Sequence, residues 1–363
     1  MLKRDRLHLA LALISVLVLG VALWRERAST STSTSSGSDA TGRAHESVTV
    51  PRLLRAIPKD APLLFTLDLE APHTDGLRAL LFNPAHELAG VGRLQEVCGY
   101  DPSPRVKALA VAAFRPSESD PSGPAFAVVA GGDFEMPRLA VCIERLIETR
   151  GGRAERHRSG SITLIRDQHG TDTEIALLDQ GLVLVSTRQH LRQLLQALDG
   201  EAPNVGDDPT HRSLRAAVGG QAPVIGTLAF QRGWLTQLFT DEDAERSPLA
   251  HLRAAALRLD LGDDVALDAL LRCERAADVA PLQRFLNELR GKISPALRDQ
   301  GLAALDRFEF EPQGQDLRLR WKLDENTLEQ LIQRLNQPLK APPAPSAAPP
   351  MPVEELIPAK PQP

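Results

Sequence analysis

Leu317-Arg318-Leu319-Arg320-Trp321-Lys322-Leu323 (LRLRWKL) alternates a bulky apolar residue with a cation at every step. Side chains alternate faces along a strand, so this pattern puts one face in a core and the other in water. A strand with one wet and one dry face belongs to an antiparallel sheet, because parallel sheets are covered on both sides. The segment therefore argues for an α+β fold.

Working back from it, Leu305 to Glu311, Val265 to Cys273, Leu252 to Leu261 and Val224 to Phe230 read as strands. Helices are expected at Gly233 to Phe239, Val279 to Leu289 and Glu325 to Leu335. The first half has the same grammar. Strands are expected at Pro62 to Leu69, Val106 to Phe114, Ala125 to Ala130, Ser161 to Arg166, Glu174 to Asp179 and Leu182 to Ser186. Helices are expected at Gly76 to Ala89, Met136 to Arg150 and Gln189 to Leu198. In the second of these, Leu139, Cys142, Ile143, Leu146 and Ile147 share a face and Gly151-Gly152 is the stop. Corresponding elements are offset by about 140 residues, which predicts two tandem ferredoxin-like units of βαββαβ type. The units, residues 51–200 and 201–337, would lie side by side or join edge strands into one sheet, with helices on one face.

Outside these units the composition changes. Leu7 to Trp24 (LHLALALISVLVLGVALW) carries no Lys, Arg, Asp or Glu. As a helix it spans about 27 Å, the thickness of a bilayer's hydrocarbon core. Lys3, Arg4 and Arg6 before it favour a cytoplasmic N-terminus. Trp24 to Arg27 spoil a small-residue cleavage site, so residues 1–27 read as an uncleaved anchor rather than a signal peptide. Residues 28–50 are a Ser/Thr-rich linker, and 338–363 a Pro-rich tail that favours extended polyproline II. Val353 to Ile357 is the tail's one apolar patch, a docking motif or ordinary linker. The expected location is the inner membrane, with the bulk of the chain exported.

Net charge of −5 and 4% aromatic residues leave neither an electrostatic footprint nor stacking platforms for nucleic acid. The three cysteines lack metal-ligand spacing. Cys142 falls within a helical apolar pattern and reads as a core thiol; if the exterior is oxidising, a Cys98 to Cys273 bridge is conceivable.

Each chemical motif has a plainer structural reading. Gly131-Gly132-Asp133-Phe134-Glu135 resembles the Gly-Gly-Asp-Glu-Phe signature of diguanylate cyclases, but it leads into a helix, where glycines turn the chain and Asp133 suits free amides. Gly262-Asp263-Asp264 resembles a polymerase metal hairpin, yet its residues are those a tight turn requires. Asp68, Glu70, His73 and Asp75 offer metal-ligand atoms at a strand end that also suits simple solvation. Asp241 to Glu245 reads as a solvated acidic loop. Gly90-Val91-Gly92 lacks the third glycine and the preceding strand of a dinucleotide loop. No catalytic residue, metal ligand or cofactor is assigned.

Ile57-Pro58-Lys59-Asp60-Ala61, entering a strand and a long α/β region, is similar to the start of membrane-anchored hypothetical proteins of GC-rich bacteria grouped as a domain of unknown function. The resemblance implies architecture and location and transfers no site residue. The expected function is an exported, non-enzymatic module that binds an envelope protein. The alternatives are a carrier of lipid or another apolar ligand, and a metal-dependent hydrolase using Asp68 and His73.

Overall fold

The computed structural model describes residues 49–82, 94–114, 126–169, 172–230, 247–261, 264–299 and 307–324. The apolar run, residues 28–48 of the linker, the Pro-rich tail, Gly90 to Gly92, Asp241 to Glu245, Gly262-Asp263 and the helices expected at Gly233 and Glu325 lie outside them. Among the described residues no helix is long and apolar enough to cross a membrane.

In chain order the elements are α1 (Val50–Arg55), β1 (Leu63–Asp68), α2 (Asp75–Phe82), α3 (Leu94–Cys98), β2 (Val106–Ala113), β3 (Phe126–Gly132), α4 (Met136–Thr149), β4 (Ala154–Ser159), β5 (Ile162–Asp167), β6 (Thr173–Leu178), β7 (Leu182–Thr187), α5 (Arg188–Leu198), α6 (Pro209–Ala217), β8 (Val224–Ala229), β9 (Leu252–Leu261), β10 (Val265–Cys273), α7 (Val279–Asp299), β11 (Glu309–Gln313) and β12 (Asp316–Leu323). The twelve strands form one sheet in the order β11-β12-β10-β9-β8-β1-β2-β3-β7-β6-β5-β4. Every pairing is antiparallel.

This overturns the ferredoxin-like expectation. A βαββαβ unit needs crossovers that set some neighbours parallel. Here β1-β2-β3 and β8-β9-β10 each walk outward from a central β1/β8 pair. Helix α4 then carries the chain from β3 to the edge strand β4, and β5, β6 and β7 return to pair with β3. Helix α7 does the same for β11 and β12. The helices also occupy both faces rather than one.

Register explains what each face buries. Leu64, Ala112 and Ala127 line up across β1, β2 and β3, and Val129, Leu184 and Ala176 across β3, β7 and β6; all share one face and pack beneath α1 and α5. Small alanines on adjacent strands let these helices approach closely. Ile225, Ala254, Ala256 and Leu270 continue the face beneath α6, against Leu214 and Val218. On the opposite face α4 covers one end with Leu139, Ala140 and Ile143 over Ile165, Leu177 and Val183. Helix α7 covers the other end with Val279 and Leu282 over Cys273 and Leu317. Trp321 and Leu323 of β12 join Leu69, Leu77 and Val106.

A buried histidine beneath α6 is paired at both ring nitrogens. Asp208 caps the first turn of α6 through Thr210 and His211 amides. Inside, His211 bonds the Thr227 hydroxyl through Nδ1 at 2.7 Å and the Ala61 carbonyl through Nε2 at 3.0 Å. A carbonyl only accepts, so Nε2 carries the proton and Nδ1 accepts from the threonine. Burial lowers the imidazole pKa, which keeps this tautomer neutral.

A disulfide joins Cys98 to Cys142, tying α3 to α4, and Cys273 is a buried free thiol. Cys142 is therefore bridged, and the Cys98 to Cys273 pairing is excluded. Both Cys98 and Cys142 sit on faces turned toward each other by the α3–α4 packing, a tertiary fact that periodicity does not carry.

Candidate functional site

The C-terminal ends of β1 and β3 and the N-terminal end of β2 meet at one rim of the sheet, because the three are antiparallel neighbours. Here β2 holds one residue more than β3 opposes: Val106 pairs with Gly132 and Ala108 with Gly131, leaving Lys107 as the bulge. A bulge breaks the ladder and re-aims the side chain of its extra residue. The ammonium of Lys107 reaches Asp133 at 2.8 Å and Glu70 at 3.4 Å. The hydrogen bond to Asp133 raises the Lys107 pKa against a smaller opposing effect of burial.

The network continues outward. Arg105 donates to the Asp133 carbonyl at 3.2 Å and pairs with Glu135 at 2.6 Å. Arg138, one turn into α4, lies 4.0 Å from the other Glu135 oxygen and 3.9 Å above the Tyr100 ring. Burial raises the Tyr100 pKa, partly offset by Arg138. Three acids and three bases thus alternate along the rim, and the carboxylates stay wet: 52% of the Glu70 side chain and 67% of Asp133 are exposed. Beside them Phe134, Glu135, Met136, Pro137, Arg138 and Asp179 line an open depression at the start of α4.

The backbone beneath is held from several sides. Arg78 donates to the carbonyls of Ser103, Val106 and Leu69. Thr74 donates to Leu69 and Ala71. The Asp133 amide donates to the Arg105 carbonyl at 3.0 Å. At Gly132 a Cβ would overlap that carbonyl, so the crossing tolerates only glycine.

The structure brings three of the sequence candidates together: Glu70 from the strand-end cluster and Asp133 and Glu135 from the glycine motif meet through Lys107 and Arg105. It separates the rest. Asp68 turns back to accept from the Glu70 amide, and His73 is exposed at positive φ, 65°. Among the described residues no group of three His, Cys, Asp or Glu side chains could hold a metal ion. Asp133 does not cap α4, since its carboxylate serves Lys107; Glu135 is the capping residue and makes no side-chain cap bond. Asp264, from the Gly-Asp-Asp triplet, lies at the β9–β10 connection and pairs with Lys322 at 2.5 Å. Arg105, Lys107, Arg138 and Tyr100 carry half the rim and stand in no motif. The signal that finds them is the bulge, which requires the register.

Chemically, such a rim exchanges partners readily. Each exposed carboxylate or guanidinium can leave its neighbour for a complementary charge on another surface at little net cost. No family model matches the chain. No curated protein matches it. The chain is similar to the solved structure titled "Structure of crystal form I of TP0453", with 13% identity, 80% of this chain and 98% of that chain covered, and a TM-score of 0.45. A likeness of that size carries neither fold nor function across.

Proposed function

We propose that the chain is a single-pass, membrane-anchored envelope protein whose exported region binds another protein through the rim of Glu70, Arg105, Lys107, Asp133, Glu135 and Arg138. The observation that carries the reading is this exposed, alternating-charge rim on a backbone fixed by a bulge, an arginine bonded to three carbonyls and a disulfide. Complementary charge on a rigid frame gives a partner orientation and register. The Tyr100–Arg138 pair adds the residue types that anchor interfaces. Two features support the location: a disulfide persists in an oxidising compartment, and Leu7 to Trp24 has the length and flanks of an anchor.

The test is a photo-crosslinking residue placed at Arg138 in the full chain in native cells, with Arg320, on an outer strand, as the control position. One defined envelope protein crosslinked at 138, absent at 320 and lost when Arg105 and Glu135 exchange signs, supports the reading. Equal products at both positions, or products indifferent to the charge exchange, sink it.

One observation favours a second reading, a carrier of an apolar ligand. Between α4 and α7 the sheet presents Phe65, Val111 and Val128, each partly exposed, whereas their neighbours on the other face are buried. Lipid that co-purifies in fixed stoichiometry and leaves on Val128→Asp substitution would support the carrier.

A further inference from the structure

The two terminal strands of the sheet are finished differently. At β11 the turn Gly314-Gln315 makes Gln313/Asp316 the closing pair, so the backbone groups of Phe308, Phe310 and Pro312 point away from β12. Half of those groups are occupied or absent. Gln283 donates to the Phe310 carbonyl at 3.2 Å, Arg290 to the Phe308 carbonyl at 2.8 Å, and proline has no N–H.

At β4 the Gln168 amide donates to the Arg153 carbonyl, which fixes Arg153, Glu155, His157 and Ser159 as the residues bonded inward to β5. The backbone groups of Ala154, Arg156 and Arg158 consequently face outward, and Arg156 to Ser159 are exposed. No described element pairs with this edge. An open edge is a template for another strand.

We propose that β4 pairs antiparallel with β4 of a second copy, about a two-fold axis at Arg156, to give one continuous sheet across the dimer. The argument for a second copy is charge. With Arg156 opposite itself, Ala154 faces Arg158 of the other copy, and each Glu155 faces a His157 in the closer, non-hydrogen-bonded pairing. The imidazole N–H donates to a carboxylate that Arg166 already orients at 2.6 Å. The two Arg156 side chains meeting at the axis are each neutralised within their own chain by a two-pronged bond to Glu144. Arg158 is likewise paired, with Asp179 at 3.5 Å. Because the same edge is used on both copies, the contact is isologous and closes at two, and the partly capped β11 edge offers a poorer template for further growth.

The test uses the full chain in detergent, its mass followed by sedimentation against concentration. The wild-type chain should be a dimer. His157→Glu, which sets two carboxylates against each other twice over, should weaken it about tenfold or more. Arg156→Pro, which deletes an outward N–H on an edge strand where proline is tolerated, should do the same. Register is read by mild oxidation: Glu155→Cys mixed with His157→Cys should form a covalent dimer, and each alone should not, since only the mixed pair lies within disulfide reach. A wild-type monomer throughout the concentration range overturns the proposal. So does a dimer that survives both substitutions, or crosslinking by either cysteine variant alone.

Discussion

Replacing His211 with leucine removes a ring that closes two buried hydrogen bonds while keeping an apolar side chain of similar reach. The Ala61 carbonyl and the Thr227 hydroxyl lose their partner where both residues are almost fully buried, 1% and 2% exposed. An orphaned buried polar group costs about 1 to 3 kcal/mol, so two of them amount to about 3 kcal/mol, measured as a fall in the urea midpoint followed by far-UV circular dichroism. Thr227→Val alone should cost about 1.5 kcal/mol, by stranding the imidazole acceptor. In the double variant only the Ala61 carbonyl is stranded, so it should lose no more than about half of what His211→Leu loses. The sign with pH follows from burial, which holds the imidazole pKa below its ordinary value near 6.5. The unfolded chain then takes up the proton first, so the stabilisation is complete above pH 6.5 and declines as pH falls below it. The leucine variant lacks that decline, and the two proteins should converge in acid. Additive costs in the double variant, or a single substitution within about 0.5 kcal/mol of wild type, would refute the pairing deduced for this site.

Removing the Cys98–Cys142 bridge as a double alanine variant should cost up to about 4 kcal/mol, from the 44-residue separation it closes; an unchanged thermal midpoint would count against a structural role. Gly132→Ala should lower the midpoint and reduce crosslinking from Arg138 together, because the added carbon displaces the Arg105 carbonyl beneath the rim. The Cys273 thiol, whose pKa burial pushes up to about 11, should resist iodoacetamide at pH 8 in the folded chain and react in urea; equal rates in both states would contradict its placement.

The strands were legible where one face is wet and the other dry. Leu317 to Leu323 carries that alternation throughout and Leu257 to Leu261 over its shorter length, and the structure sets strands there. Strand β4 (AERHRS) was not legible, because an exposed edge buries nothing and shows no apolar period. Helix α6 was missed for a different reason: Leu214 is nearly its only long apolar residue, so its stripe is too thin to register. Topology suffered most. A strand, helix and strand in sequence reads equally as a parallel crossover or as an antiparallel return, and only pairing tells them apart. At the rim, Glu70 and Asp133 were visible as acids in short clusters. Lys107 was not, since its role depends on a bulge created by register with β3.

The central β1/β8 pair has a consequence for how the chain is made. Thr66 and Ile225 touch across it although 159 positions separate them. A growing chain delivers β1 long before β8, so β2 to β7 can assemble within the first half of the chain while one side of β1 waits unpaired. That waiting strand, LLFTLD, then offers an unpaired apolar edge to other chains. Its protection until the second half arrives sets the demand this chain places on whatever escorts it.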